Sequence, residues 1–115
     1  MPHIDSAKRA RIRELNDAFR TSLDLSLGRV VLTTGVNALP SNVKAMAIRK
    51  TASFATFTED NDPHGEHDFG ALELDGQRFF WKIDYYDPNL EFGSENPADP
   101  TKTTRVLTIM LAEEY

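Results

Sequence analysis

The chain has 115 residues, a formal net charge of −5 at pH 7 and no cysteine. This length is sufficient for one domain with its own hydrophobic core, so we expect a single domain over residues 1–115. The absence of cysteine excludes disulfides, thiolate metal sites and a cysteine nucleophile. The negative charge disfavours general affinity for nucleic acid. No apolar segment approaches transmembrane length and no signal-peptide pattern is present, so we expect a cytoplasmic protein without membrane contact.

The N-terminal segment predicts an amphipathic helix. We expect it to run from an N-cap at Ser6 to about Ser22, because apolar residues recur there at helical spacing. The apolar stripe of this helix consists of Ile12, Leu15, Phe19 and Leu23.

A strand and a second helix are predicted next. Residues 28–35 are rich in β-branched side chains and bounded by glycine, which is typical of a strand. Residues 36–39 predict a connection. Pro40 then opens a helix that we expect to end near Phe54.

An Asp-Gly dipeptide at 75–76 between two hydrophobic runs predicts a β-hairpin. The turn would pair Gly70 with Trp81 and would place His67 opposite Asp84. Because side chains alternate along a strand, the hairpin has two distinct faces. We expect the first face to pack in the core, with Gly70 leaving room for the Trp81 ring. Its members are Leu72, Leu74, Phe79, Trp81, Ile83 and Tyr85.

The second hairpin face mixes aromatic rings with charged side chains. A fully solvated face would not need two phenylalanines, and a fully buried face would not carry a lysine and an aspartate. We therefore expect either a face covered by another part of the chain or a binding surface. The candidate binding residues on this face and beside it are Phe69, Phe80, Lys82, Asp84, Tyr86, His67 and Glu66.

The C-terminal part of the chain predicts a loop and one more strand. Residues 87–101 contain three prolines, which disfavours a regular element. Residues 103–112 predict a strand that is apolar on both faces, and we place it centrally in the sheet. The predicted fold is α+β, with two helices packed on a mostly antiparallel sheet of about four strands.

Three long segments resemble an uncharacterised bacterial family, domain of unknown function 3768. They are Asn61–Gly70 (NDPHGEHDFG), Phe80–Asp87 (FWKIDYYD) and Thr104–Ala112 (TRVLTIMLA). The resemblance extends over nearly the whole chain, from about Ile12 to Tyr115. It implies no established activity, and it implies an accessory gene of bacterial plasmids or mobile elements.

The acidic loop, residues 60–68, is a candidate site for a divalent metal. Residues 59–75 contain seven acidic side chains and no lysine or arginine. Acids and histidines alternate around Gly65, although Ala71 stands where a calcium loop needs a bidentate glutamate. The alternative is a solvated loop whose Asp and Asn side chains cap backbone N–H groups. The candidate metal ligands are Asp60, Asp62, His64, His67 and Asp68.

A His67–Asp84 pair would suit general acid–base chemistry, because a carboxylate orients the imidazole and favours its charged form. It would equally suit a structural cross-strand pair. The sequence contains no Gly-x-Ser-x-Gly elbow, no phosphate-binding glycine loop and no His-Glu-x-x-His motif. These absences favour a protein that is not an enzyme.

The leading hypothesis is a small cytoplasmic binding or regulatory module that engages a protein partner through the acidic loop and the second hairpin face, without a cofactor. A second hypothesis is a metal-dependent hydrolase with ligands in the loop and Glu66 as base. A third is a nucleic-acid-binding accessory protein, for which the negative charge is unfavourable. Its candidate phosphate contacts are Lys8, Arg9, Arg11, Arg13 and Lys82.

Overall fold

The computed structural model describes residues 5–115, which form a four-stranded sheet with helices on one face. No helix in this part of the chain is both long and apolar enough to cross a bilayer. Two short 3-10 turns flank the last strand. In chain order the elements are α1 Asp5–Ser22, β1 Gly28–Leu32, α2 Thr34–Asn37, α3 Ser41–Ser53, β2 Phe69–Leu74, β3 Gln77–Tyr86, 3-10 turn Pro100–Lys102, β4 Thr104–Leu111 and 3-10 turn Ala112–Glu114.

The sheet has the strand order β1-β4-β3-β2. The β1–β4 pair is parallel, and the β4–β3 and β3–β2 pairs are antiparallel. This confirms the predicted α+β class and the mostly antiparallel sheet. The C-terminal strand β4 lies in the interior of the sheet, as its apolar sequence on both faces indicated.

The β2–β3 hairpin has the predicted register. Asp75 and Gly76 have φ values of 57° and 76°, as a type I′ turn requires. Gly70 lies opposite Trp81, whose side chain is fully buried. The first hairpin face therefore packs in the core, and the alternation of side chains leaves the second face on the other side of the sheet.

The core lies between one face of the sheet and all three helices. Phe19 of α1, Val36 of α2 and Ala47 of α3 are fully buried against it. Because α1, α2 and α3 all pack on this face, no helix of residues 5–115 covers the second hairpin face. The sheet residues of the core cluster are Phe79, Trp81, Ile83, Leu107, Ile109 and Leu111.

Two predicted boundaries are wrong. Helix α1 already includes Asp5, so Ser6 lies inside the helix and is not its N-cap. Strand β1 ends at Leu32 instead of continuing to residue 35, and α2 replaces part of the predicted connection. Backbone hydrogen bonds from Asn37 to Thr33 and from Ala38 to Thr34 form the helical turn there, and the Glu114 carboxylate stabilises it by accepting a hydrogen bond from the backbone N–H of Gly35 at 2.8 Å.

We predict that Gly70→Ala destabilises the protein by about 1–3 kcal/mol. A Cβ atom at Gly70 would lie 2.4 Å from Nε1 of Trp81, so the buried ring would have to move. Urea unfolding measures the change. Gly93→Ala is the control, since its nearest atom would lie at 3.9 Å, and we expect a change within about 0.5 kcal/mol. Equal stability of the two variants would contradict the close packing of Trp81 on β2.

Candidate functional site

The second hairpin face carries a cluster of aromatic rings at one end. The centroids of Phe69 and Phe80 lie 5.3 Å apart, and Tyr115 packs edge-on against both rings. Farther along the same face, Lys82 and Asp84 form an ion pair at 3.0 Å, with both side chains 39% exposed. The face is thus partly covered by Tyr115 and remains accessible over its charged part.

A groove runs along the outer edge of β2, where the acidic loop meets the second hairpin face. We call it the edge groove, and its volume is about 600 Å³. A second depression of about 390 Å³ shares Ala71 and Arg78 with it and continues toward Glu73. The edge groove is lined by Phe54, Thr56, Asp60, Asn61, Phe69, Gly70, Ala71, Arg78 and Phe80.

Side-chain to backbone hydrogen bonds fix the start of the acidic loop. The Asn61 side chain accepts a hydrogen bond from the Thr58 backbone N–H at 2.8 Å and donates one to the Thr56 carbonyl oxygen at 2.8 Å. The Asp62 carboxylate accepts one from the backbone N–H of His67. These are the Asx-type contacts that the sequence suggested as an alternative to metal binding.

Helix α1 fixes the rest of the loop. The Arg13 side chain donates to the Gly65 carbonyl oxygen at 3.0 Å, and the Asn16 amide donates to that of Glu66 at 2.9 Å. The loop therefore lies against the helix, and its outer part forms one wall of the edge groove.

His67 does not meet Asp84, and this predicted pair is wrong. The imidazole Nδ1 lies 3.0 Å from both carboxylate oxygens of Asp17, and Nε2 lies 3.5 Å from Oδ2 of Asp62. A carboxylate only accepts hydrogen bonds, so Nδ1 carries the hydrogen in the contact with Asp17. The reason is local backbone geometry: His67 has φ of 56°, which ends the strand alternation and turns the ring toward α1. Its ring stacks face to face on Phe57, with centroids 3.7 Å apart.

Asp17 links His67 to a buried arginine. The Asp17 carboxylate also accepts a hydrogen bond from Nη2 of Arg20 at 3.3 Å. Burial lowers the pKa of Arg20, whose guanidinium is only 2% exposed and lies over the rings of Trp81 and Phe57. A shallow depression of about 270 Å³ lies beside this cluster.

A second buried polar network joins α1 to the sheet. Nε of Arg105 donates to the Asn16 side-chain oxygen at 2.7 Å, and the Asn16 amide donates to the Tyr85 hydroxyl at 2.9 Å. The Tyr85 hydroxyl donates to Asp68 at 3.1 Å. Burial raises the pKa of Tyr85 and of Asp68, and it raises that of the neighbouring Glu66 carboxyl.

Sequence reasoning missed the residues that organise these networks. Asn16 and Arg20 stand at helical spacing from the apolar stripe of α1, so the periodicity of the helix placed them near the core. Arg105 alternates with the buried Leu107 and Ile109 along β4, which likewise placed it on the core face. Their partners, by contrast, are distant in sequence.

The predicted metal ligands do not converge on one point. Asp60 and His64 are exposed, Asp62 contacts His67, and Asp68 is bonded to Tyr85. Within residues 5–115, no three histidine or acidic side chains are arranged to hold a metal ion.

The predicted basic residues do not form one surface. Arg13 is engaged with the Gly65 carbonyl, and Lys82 is paired with Asp84. Lys82 lies on the second hairpin face, whereas the other four lie on α1, on the opposite side of the sheet.

We predict that His67→Asn destabilises the protein by about 1–3 kcal/mol, whereas His64→Asn in the same loop changes stability by less than about 0.5 kcal/mol. Asparagine tolerates positive φ, so the first substitution removes the ring contacts without new backbone strain. Urea unfolding at neutral pH measures both changes. Equal effects of the two substitutions would show that the contacts of His67 do not stabilise the loop.

We predict that Asp68→Asn becomes progressively more favourable relative to the wild type as pH rises from about 4. Burial raises the pKa of Asp68, so the stability contributed by its protonated form is complete below the unfolded pKa and is lost as pH rises through the folded pKa. Asparagine cannot ionise and still accepts from Tyr85.

Urea unfolding between pH 3.5 and 7 measures this effect, with Asp60→Asn as the control for loss of one negative charge. A stability difference between Asp68→Asn and the wild type that does not change with pH would contradict it.

The comparisons with known proteins bear on the family of the chain. No curated protein and no solved structure matches it. A family model described as protein of unknown function (DUF3768) matches residues 32–114, which include the acidic loop, the hairpin and β4. This confirms the resemblance of the three segments named above. The chain therefore belongs to the DUF3768 family of proteins of unknown function.

Proposed function

We propose that this protein is a small binding module that holds a protein partner in the edge groove and has no catalysis of its own. The observation that carries the proposal is the composition of the groove, where Asp60 and Asn61 of the acidic loop lie beside Phe69 and Phe80 of the second hairpin face. Aromatic anchors surrounded by polar groups are typical of protein-binding sites.

The walls of the groove are held before any partner binds. Asn61 is fixed by hydrogen bonds to the segment before the loop, and the other end of the loop is bound to α1 through Arg13 and Asn16. A site that is already ordered loses less conformational entropy on binding. This rigidity favours recognition of a partner by the loop.

The charge of the region favours a basic partner. Residues 59–75 carry seven acidic side chains and no lysine or arginine. Complementary charge raises association rates and discriminates against wrong partners. The partner segment in the groove would therefore carry lysine or arginine.

The environment of His67 favours a structural role over acid–base catalysis. A general base needs a ring nitrogen free to reach substrate. In His67 both nitrogens face carboxylates, with Nδ1 at 3.0 Å from Asp17 and Nε2 at 3.5 Å from Asp62. The cluster thus supports a structural role that holds the loop against α1.

Site-specific photocross-linking in cells of the source organism tests the proposal. A benzophenone amino acid replaces Arg78, which lines the groove, or Arg49, an exposed arginine on α3. We expect a discrete protein adduct from position 78 and none from position 49.

The adduct must also respond to the groove itself. Asp60→Lys should abolish it, because Asp60 lines the groove, whereas the adjacent exposed Glu59→Lys makes the same charge change outside the lining and should preserve it. No adduct at position 78, or equal loss in both lysine variants, would refute binding in the groove.

A further inference from the structure

Strand β2 is an edge of the sheet. The strand order β1-β4-β3-β2 gives it one neighbour, β3, and no strand of the described residues pairs with its other side. An edge strand presents unpaired backbone N–H and C=O groups that another extended chain can use.

The alternation of hydrogen-bonded and non-hydrogen-bonded pairs along β2 and β3 identifies which residues present these groups. The Ile83 N–H donates to the Asp68 carbonyl oxygen at 2.9 Å, so these two residues form a hydrogen-bonded pair. Hydrogen-bonded and non-hydrogen-bonded pairs alternate along an antiparallel ladder. The two-residue turn at 75–76 predicts the same set of hydrogen-bonded pairs as the Asp68–Ile83 contact does. The N–H and C=O groups of Phe69, Ala71 and Glu73 therefore point away from β3.

The usual protection of an edge strand against strand addition is limited here to the charge of Glu73. The six residues of β2 pair with β3 in continuous register, and they include no proline, no lysine and no bulge. The three outward-facing residues span about 13 Å. The edge groove and the adjoining depression border them, so open space and no covering element of residues 5–115 lies along the strand.

We propose that the edge groove binds an extended basic segment of a partner protein as a fifth strand of the sheet, paired with β2. This inference rests on the proposed binding function and specifies how the partner is held. Side chains of an added strand alternate, so one set would contact Phe69 and Phe80 on the second hairpin face. The other set would contact Phe54 on the opposite wall of the groove.

Charge selects this occupant over a second copy of the chain. Pairing two β2 edges about Ala71 would bring two acidic segments together, with seven acidic side chains in each. Each copy carries a net charge of −5, and electrostatic repulsion between the two copies opposes this association. The charged lining of the two depressions consists of Asp60, Glu73 and Arg78, so a basic segment gains contacts with two carboxylates against one like charge.

The test uses a blocked octapeptide of alternating lysine and valine as the probe, added at low salt to the ¹⁵N-labelled protein. We expect slower amide hydrogen exchange at Phe69, Ala71 and Glu73 on binding, because their N–H groups gain partners. Gly70 and Leu72 should change little, since their N–H groups already bond to β3. Replacing the lysines by glutamate should abolish binding.

Backbone methylation of the probe tests pairing on the unchanged protein. N-methylating all valine amides or all lysine amides blocks alternate N–H groups, so one of the two peptides should lose at least about tenfold in affinity and the other should keep it. Equal affinities for both peptides, or no binding of the unmodified peptide, would refute strand addition.

Ala71→Pro tests the protein side. The Ala71 N–H makes no bond to β3, so the hairpin tolerates proline there. An added strand, by contrast, loses the hydrogen bond that this N–H would donate to it. Ala71→Val retains the N–H and is the control. If the Ala71→Pro variant still forms the photoadduct from position 78 and the Asp60→Lys variant does not, the binding function stands and strand addition is refuted. Amide protection that grows with protein concentration in the absence of peptide would identify a second copy as the occupant and overturn the proposal.

Discussion

The rest of the structure depends on the buried guanidinium of Arg20. Its Nη1 donates to the carbonyl oxygens of Thr51 and Phe54 at 2.8 and 2.9 Å, at the point where α3 ends. A cation at a helix C-terminus satisfies carbonyls that lack partners within the helix and interacts favourably with its dipole. The same group lies 4.9 Å from the ring centroid of Trp81. One side chain thus joins α1, the end of α3 and the centre of the sheet.

The placement of the acidic loop follows from this arrangement. Asp17 lies beside Arg20 and accepts from it, and the same carboxylate contacts His67. The loop is therefore held by the helix that carries the buried charge. Asp60 and Asn61, at the start of the loop, border the groove. Burial raises the pKa of Glu66 and Asp68, so ionising these two carboxyls as pH rises costs folding stability.

The sheet is asymmetric in a way that suits recognition. Its core face is closed by α1, α2 and α3, whereas the ring of Tyr115 covers part of the second hairpin face in the portion of the chain that the structure describes. Strand β2 lies at the border of these two environments. An aromatic surface, open backbone groups and an acidic wall therefore occur within one short stretch of chain, and the proposed binding site rests on this proximity.

Local chemistry determined the hairpin and both long helices. The Asp-Gly turn at 75–76 sets the register of β2 and β3 through contacts between near neighbours, and helical periodicity in α1 and α3 is visible in single stretches of sequence.

The side chains that build the site pair across long separations. Asp17 and His67 are 50 residues apart, and Asn16 and Arg105 are 89 apart. Likewise, Glu114 bonds to the backbone of Gly35, in a segment whose composition is typical of a strand but which lies beyond the end of β1. Propensity and periodicity contain no information about such distant partners, so only the packing of α1, the loop and β4 in space decided where the charged side chains meet.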